Sequence, residues 1–219
     1  MFEDFGWHHL IPIAKGAWYT IVLCFFSFIF GSVIGLVIGL GVTSKNKVAQ
    51  WISTVYINLI RGVPLLIILF FFYFALPLFI PGTDLTKEIT AVTALSIYAG
   101  AYLGEIVRGS IQSIPKGQFE AADALGLNYL QKMRYIIVPQ AMKVIVPPGI
   151  GFLIALVKES SLVSIIGFVD LTKAGKVISN LTMNPLKSFL SVALFYFVIC
   201  YGLSKAAQYY ENKMLRTNQ

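Results

Sequence analysis

Arg61, Glu105 and Glu159 stand inside or directly beside long apolar stretches, and residues of that kind in that setting are where chemistry is to be sought. A charge at bilayer depth costs about 2.5–3.5 kcal/mol or more, so each must face a cavity, a counter-ion or a ligand. The planar fork of Arg61 suits a carboxylate. Glu159 suits an ammonium or a cationic side chain, and Ser160, Ser161 and Tyr98 offer lesser hydrogen-bonding groups. The run Lys158-Glu159-Ser160-Ser161-Leu162 follows a proline-interrupted apolar segment. Charged and hydroxyl residues beside irregular backbone at membrane depth mark a solute path. Two plainer readings stand beside this one. Lys158 and Glu159 could simply mark the outer end of a span, reaching into water, and Arg61 and Glu159 could neutralise each other or separate partners.

Other chemistries find no support in the chain. It has no Gly-x-x-x-x-Gly-Lys-Ser/Thr phosphate loop, no His-Glu-x-x-His and no Gly-x-Ser-x-Gly. Both histidines, His8 and His9, lie near the N-terminus. Adjacent residues do not point the same way on a helix, so a solvated or interfacial N-terminus is expected there rather than a metal site. Cys24 and Cys200 fall far apart within apolar spans and read as small buried hydrophobes. Residues 1–15 carry Glu3 and Asp4 and lack the pattern of a cleavable signal peptide. The chain reads as non-enzymatic, with no metal and no cofactor of its own.

The elements that hold these residues are membrane spans. Of 219 residues, 57% are hydrophobic and 12% charged, a balance that fits an integral membrane protein and not a soluble globule. The net charge of +7 is scattered between apolar segments, which argues for membrane orientation and against nucleic acid. About 20 apolar residues cross a bilayer as a helix. Spans are expected over residues 17–42, 48–80, 89–107, 136–157 and 188–209. In the first, Gly31, Gly35 and Gly39 form a stripe for close helix approach, either to another subunit or within the chain. In the second, Gly62 and Pro64 predict a kink just after Arg61; the alternative has 48–61 lying at the interface. Tyr98 and Tyr102 share a face of the third, and Glu105 and Arg108 form an i,i+3 pair at its end. Pro139, Pro147 and Pro148 break the regularity of the fourth. Pro81-Gly82-Thr83-Asp84 reads as a turn. Residues 158–187 hold no full-length span and are expected to re-enter the membrane in part.

Five spans put the termini on opposite sides. Lys45, Lys47, Arg108, Lys116, Lys132, Arg134, Lys205, Lys213 and Arg216 then share one side, and Lys15, Lys87, Lys158, Lys173, Lys176 and Lys187 the other. The excess places the first set, with the C-terminus, in the cytoplasm and the N-terminus outside.

Between spans three and four, residues 113–139 form a soluble-looking insert. Pro115 precedes a short helix that Gly126 can end in the left-handed conformation. Asn128 can cap a second helix that runs into the fourth span. Phe119, Ala122 and Leu125 recur every three residues and are expected to line an apolar patch for a partner's groove, with Glu120 and Asp123 on another side. The pattern Glu120-Ala121-Ala122, Gly126, then Ile136-Ile137-Val138-Pro139 resembles the EAA loop of ABC importer permeases, with Val138 where leucine is usual. Arg61-Gly62-Val63-Pro64-Leu65-Leu66 is similar to the RGTPLL segment of permeases for polar amino acids, with Val63 replacing threonine. Lys158 to Leu162 looks like that family's K-D/E-T/S-S/A-L segment.

The resemblance covers nearly the whole chain and is to the histidine/glutamine/arginine type. It implies an all-α, five-span fold of the type I importer kind, one permease domain over 1–219 with its coupling loop at about 113–135. It implies docking of a separate ABC ATPase, in two copies, through Phe119, Glu120, Ala121, Ala122, Leu125 and Gly126. ATP and Mg would be bound by that ATPase. A second permease subunit, a homodimer by preference, an extracytoplasmic amino-acid-binding protein and a bacterial inner-membrane location complete the expectation. The acid at Glu159 suggests a basic cargo such as arginine, lysine or histidine, with glutamine or glutamate as the alternative, since one carboxylate can simply bind the α-ammonium. The rival from another class is a secondary transporter or channel working without ATP, which would leave the 113–139 insert without a task; an intramembrane enzyme would need a nucleophile and base at depth that the chain lacks.

Overall fold

The computed structural model describes residues 4–80, 82 and 85–217, with 211 and 213–217 described through their backbone alone. Pro81, Thr83 and Asp84 of the expected turn, Glu3, and the side chains of Lys213 and Arg216 lie outside the described residues. Eight helices are numbered here: α1 (Leu10–Val42), α2 (Lys47–Gly62), α3 (Leu65–Phe79), α4 (Lys87–Gln112), α5 (Lys116–Ala124), α6 (Val138–Glu159), α7 (Leu171–Thr182) and α8 (Pro185–Thr217). α1, α4, α8 and the stretch Tyr129–Ile166 that contains α6 are long and apolar enough to cross a membrane. α2 and α3, bent by 103° at their junction, bring the number to five when the pair is taken as one broken span.

α1 begins seven residues before the expected start. Pro12 lies in its first turn, where a proline nitrogen has no helical acceptor to lose. The helix is about 50 Å long at 1.5 Å per residue. Its glycines explain its main partner. A Cβ at Gly31, Gly35 or Gly39 would lie 2.5, 2.7 or 2.5 Å from the Cβ of Ala99, Leu103 or Val107 on α4. The stripe therefore packs α1 on α4 within one chain and is not left open for a second subunit. In lipid, where apolar helices gain little by leaving the solvent, such backbone approach is what holds helices together. α4 is the central element, with 61% of its most apolar stretch buried against 11% for α8.

The second span is not a long kinked helix. α2 and α3 meet at 103°. Val63 (φ −113°, ψ 133°) and Pro64 (φ −57°, ψ 139°) are extended, since a residue before proline avoids the helical region. Pro64 thus ends α2 instead of bending it. Two further prolines are accommodated by π turns: Phe71–Ala75 lies two residues before Pro77, and Met133–Ile137 two before Pro139. Pro147 and Pro148, expected to disturb α6, sit inside a continuous helix; their fixed φ is helical, and only two backbone hydrogen bonds are lost.

Residues 158–187 fold back on the N-terminal ends of α1 and α8. A 3-10 turn (Ser160–Ile166) ends at Gly167 (φ 84°), and α7 follows. α7, about 18 Å long, is too short to span. Asp170 caps it, accepting from Thr172 N (3.0 Å) and Lys173 N (2.9 Å), while Leu171 N donates to Thr20 Oγ1 of α1 (3.0 Å). At the N-terminus His8 is exposed, whereas His9 is buried, its Nδ1 accepting from Gly6 N at 3.1 Å.

Candidate functional site

A line of polar and aromatic side chains runs along the face of α4 that meets the broken span. Arg61, in the last turn of α2, lies 3.6 Å from Glu105 and places its guanidinium 5.3 Å over the Tyr102 ring. Glu105 is already gripped by Arg108 through two bonds (2.9 and 2.5 Å), and Arg108 donates to Gln112 at 2.6 Å. Two guanidinium groups thus share one carboxylate. The i,i+3 pair expected at the end of the third span is present. The neutralising partner of Arg61 is Glu105 and not Glu159.

Above Arg61 the aromatic rings continue. Tyr98 lies 4.7 Å from Tyr102, and Phe152 of α6 stacks on Tyr102 at 5.3 Å. Tyr98 is buried at this junction. Glu159 sits two turns beyond Phe152 on α6, half-buried. Arg61, Tyr102, Tyr98 and Phe152 therefore lie in one connected row. Ser160 does not join them: it is fully buried and its hydroxyl donates to Val157 O at 2.8 Å, so the helix end consumes it. Ser161 remains half-buried beside Glu159. No cluster of three or more His, Cys, Asp or Glu side chains suited to a metal occurs among the described residues.

The second site is the elbow. α5 ends at Gly126 (φ +71°), where Gly126 N donates to Asp123 O (2.9 Å) and Leu127 N to Ala122 O (3.2 Å), the paired bonds of a Schellman stop. Asn128 and Gln131 then form a reciprocal capping box, with both bonds at 3.0 Å. The elbow is anchored to the span it feeds by a Lys132–Asp123 ion pair and by Gln140 Nε2 donating to Gln118 Oε1 at 3.0 Å. The sequence carried no periodic signal for these ties, which depend on the turn at Gly126 folding one helix over the next.

The expected partner-facing patch needs correction. Ala122 is fully buried and Phe119 packs into a cluster of this chain's own Val107, Ile111, Met133 and Ile137. Positions three apart drift around a helix of 3.6 residues per turn, and here the first two face inward. Leu125, 73% exposed, is the apolar residue offered outward, with Glu120 and Ala121 exposed beside it.

Comparison with known proteins is consistent across sequence and structure. Residues 31–216 match the family described as "Binding-protein-dependent transport system inner membrane component". The probable amino-acid ABC transporter permease protein YckA of Bacillus subtilis (strain 168) is 39% identical over 188 residues, 86% of this chain and 82% of that protein. The L-cystine transport system permease protein TcyB of the same organism is 36% identical over 205 residues, 93% of this chain and 87% of that protein. A solved structure titled "Crystal structure of an amino acid ABC transporter with histidines" superposes with a TM-score of 0.87 at 35% identity, covering 94% of this chain and 95% of that one.

Proposed function

The chain belongs to the family of binding-protein-dependent transport system inner membrane components, and from that membership we infer that it is a transmembrane permease subunit of an ATP-driven amino-acid importer. The fold is that of a type I importer permease, and relatives named as amino-acid permeases match over most of their length. The observation that carries the reading is the elbow: a doubly capped helical turn between two spans, presenting Leu125, Glu120 and Ala121 outward. A solute carrier running on an ion gradient has no use for such a projection.

Beyond this we propose a finer picture. ATP and Mg are bound by a separate ATPase, two copies of which dock on two elbows. The permease pairs with a second copy of itself. An extracytoplasmic binding protein delivers the cargo. The chain lies in the bacterial inner membrane with its N-terminus outside and its C-terminus and elbow in the cytoplasm. The cargo is a polar, basic amino acid such as arginine, lysine or histidine. Arg61 holds the α-carboxylate, and Glu159, with Ser161 and Tyr98 nearby, holds the cationic end. Support for this comes from the row of Arg61, Tyr102 and Tyr98 along α4, from the half-buried carboxylate of Glu159 at the end of α6, and from the relative solved with histidines. An unpaired ion in low dielectric costs several kcal/mol, so a zwitterion with a charged side chain needs such partners.

The test is Glu159→Gln in the reconstituted importer. Uptake of arginine is expected to fall at least tenfold while basal ATP hydrolysis stays within twofold. Unchanged uptake removes Glu159 from the site and with it the argument for a basic cargo.

A further inference from the structure

α2 has three faces, and one of them has no place in lipid. At 3.6 residues per turn, Lys47, Gln50, Thr54, Asn58 and Arg61 fall within an arc of about 80°. All five are exposed. A second face, with Ser53 and Ile57, is buried against α1 and α4. The third carries Val48, Ile52, Val55 and Leu59, exposed and wholly apolar. A helix that met only lipid and its own chain would need the second and third faces alone. The polar face borders a cavity of about 270 Å³ closed on its other side by Glu105, Arg108 and the end of α1 at Val42. That is room for several waters at about 30 Å³ each. Its charged rim holds two guanidinium groups and one carboxylate, a net charge of +1.

We propose that this polar face of α2 and the last two turns of α4 form the cytoplasmic exit path of the permease, with Arg61 and then Arg108 receiving the carboxylate of the departing amino acid. The proposal rests on the permease reading above and extends it to residues below Arg61 that no part of that reading uses. Glu105 divides its charge between the two arginines, so neither is fully neutralised and neither binds a carboxylate irreversibly. Thr54 and Asn58 supply neutral hydrogen-bonding groups along the way. Gln50 and Lys47 continue the path to the end of α2 beside the α1–α2 turn.

The experiment uses the complete reconstituted importer, with its ATPase and binding protein, and a charged, membrane-impermeant methanethiosulfonate ammonium reagent added on the cytoplasmic side. Thr54→Cys and Asn58→Cys are compared with Val55→Cys and Leu59→Cys, their immediate neighbours at the same depth. The parent protein, with Cys24 and Cys200 in place, serves as blank. The polar-face cysteines are expected to react at least tenfold faster than the apolar-face pair. Millimolar arginine on the cytoplasmic side is expected to slow Asn58→Cys at least threefold, and agmatine, which lacks the carboxylate, to leave it unchanged. Slow rates at both polar positions overturn the path, because the face is then sealed by lipid or by the second copy; equal rates at all four overturn it as well, because the polar face is then no wetter than the apolar face beside it. Fast reaction without protection by arginine, or with equal protection by agmatine, overturns the carboxylate relay. Failure of the parent to take up any amino acid would strike the permease reading instead, and the labelling rates would still decide whether the face is wet.

Discussion

Replacing Gly126 isolates the elbow's geometry from its contacts. Its φ of +71° lies in the left-handed region, and a Cβ built there meets nothing within 4 Å. A side chain at this position therefore costs backbone strain without a clash, roughly 1–2 kcal/mol for an ordinary L-residue and toward the upper end for a β-branched one. At 1.36 kcal/mol per tenfold, that strain lowers the population of the native turn by about 5–30-fold relative to alternatives that release it. The Gly126 and Leu127 amide bonds to Asp123 and Ala122 would be lost in those alternatives, and Leu125 would no longer be held at its angle to the following helix. Gly126→Val should thus weaken retention of the ATPase on immobilised permease by about 5–30-fold at sub-saturating concentration. ATP-dependent uptake should fall with it, and membrane insertion should not. Gly126→Asn supplies the control, since asparagine tolerates the left-handed conformation and should retain most binding. The expected order is Gly, Asn, Ala, Val. If the valine variant matches wild type, the turn does not govern coupling. If asparagine is as damaging as valine, side-chain bulk against the partner and not φ is responsible.

Gly35→Val forces a side chain to within 2.7 Å of Leu103 Cβ and 2.9 Å of Gly104 N; overpacking of this kind costs about 1–3 kcal/mol and should lower the unfolding midpoint in detergent, whereas Gly202→Ala, in open space, should not. Gln118→Cys, on the elbow, should resist an impermeant thiol reagent outside intact cells and react in inside-out vesicles; ready labelling from outside reverses the topology. Burial raises the Asp170 carboxyl above its ordinary 3.8 despite the Lys173 and Thr172 amide bonds that oppose it. Its protonated form is therefore favoured on folding, so its contribution is largest below pH 3.8 and is lost as pH climbs through the raised value. Thermal midpoints across pH 3.5–7 should accordingly show wild type declining relative to Asp170→Asn, and parallel curves would refute this.

What the sequence made legible follows from how local each feature is. The spans at α1, α4, α6 and α8 were readable because apolar length alone decides them. Gly126 and Asn128 were readable because a left-handed stop and an N-cap are one-residue devices. Expectation failed where two signals competed. Before Pro64, apolar continuity argued for one long helix and the restriction on Val63 argued for a break; the break won, because the clash of a proline ring with the preceding residue is steric and nothing in lipid relieves it. At Pro147 and Pro148 the same residue type failed to break the helix, since both rings fit the helical φ of α6 and only donors were lost. Proline marks a boundary only where the residue ahead of it gives way.

Sequence patterning singled out the intramembrane charges but not their pairings. Arg61 and Glu159 both stood out as intramembrane charges, yet pairing depends on which helices touch. The glycine stripe sealed α1 onto α4, so α2 had to lie across the α4 face that carries Tyr102 and Glu105, and Arg61 met Glu105 as a result. The break at Val63-Pro64 completes this arrangement. A straight helix would carry the residues after Arg61 past α4 along one axis. The 103° turn instead sends α3 away and leaves Arg61 at a corner, 39% exposed at its side chain and sharing one carboxylate with Arg108. This exposure and this shared carboxylate are the observations on which the proposed role of Arg61 as a carboxylate receptor rests. The residue that ends the helix is thus also the one that frees the charge beside it.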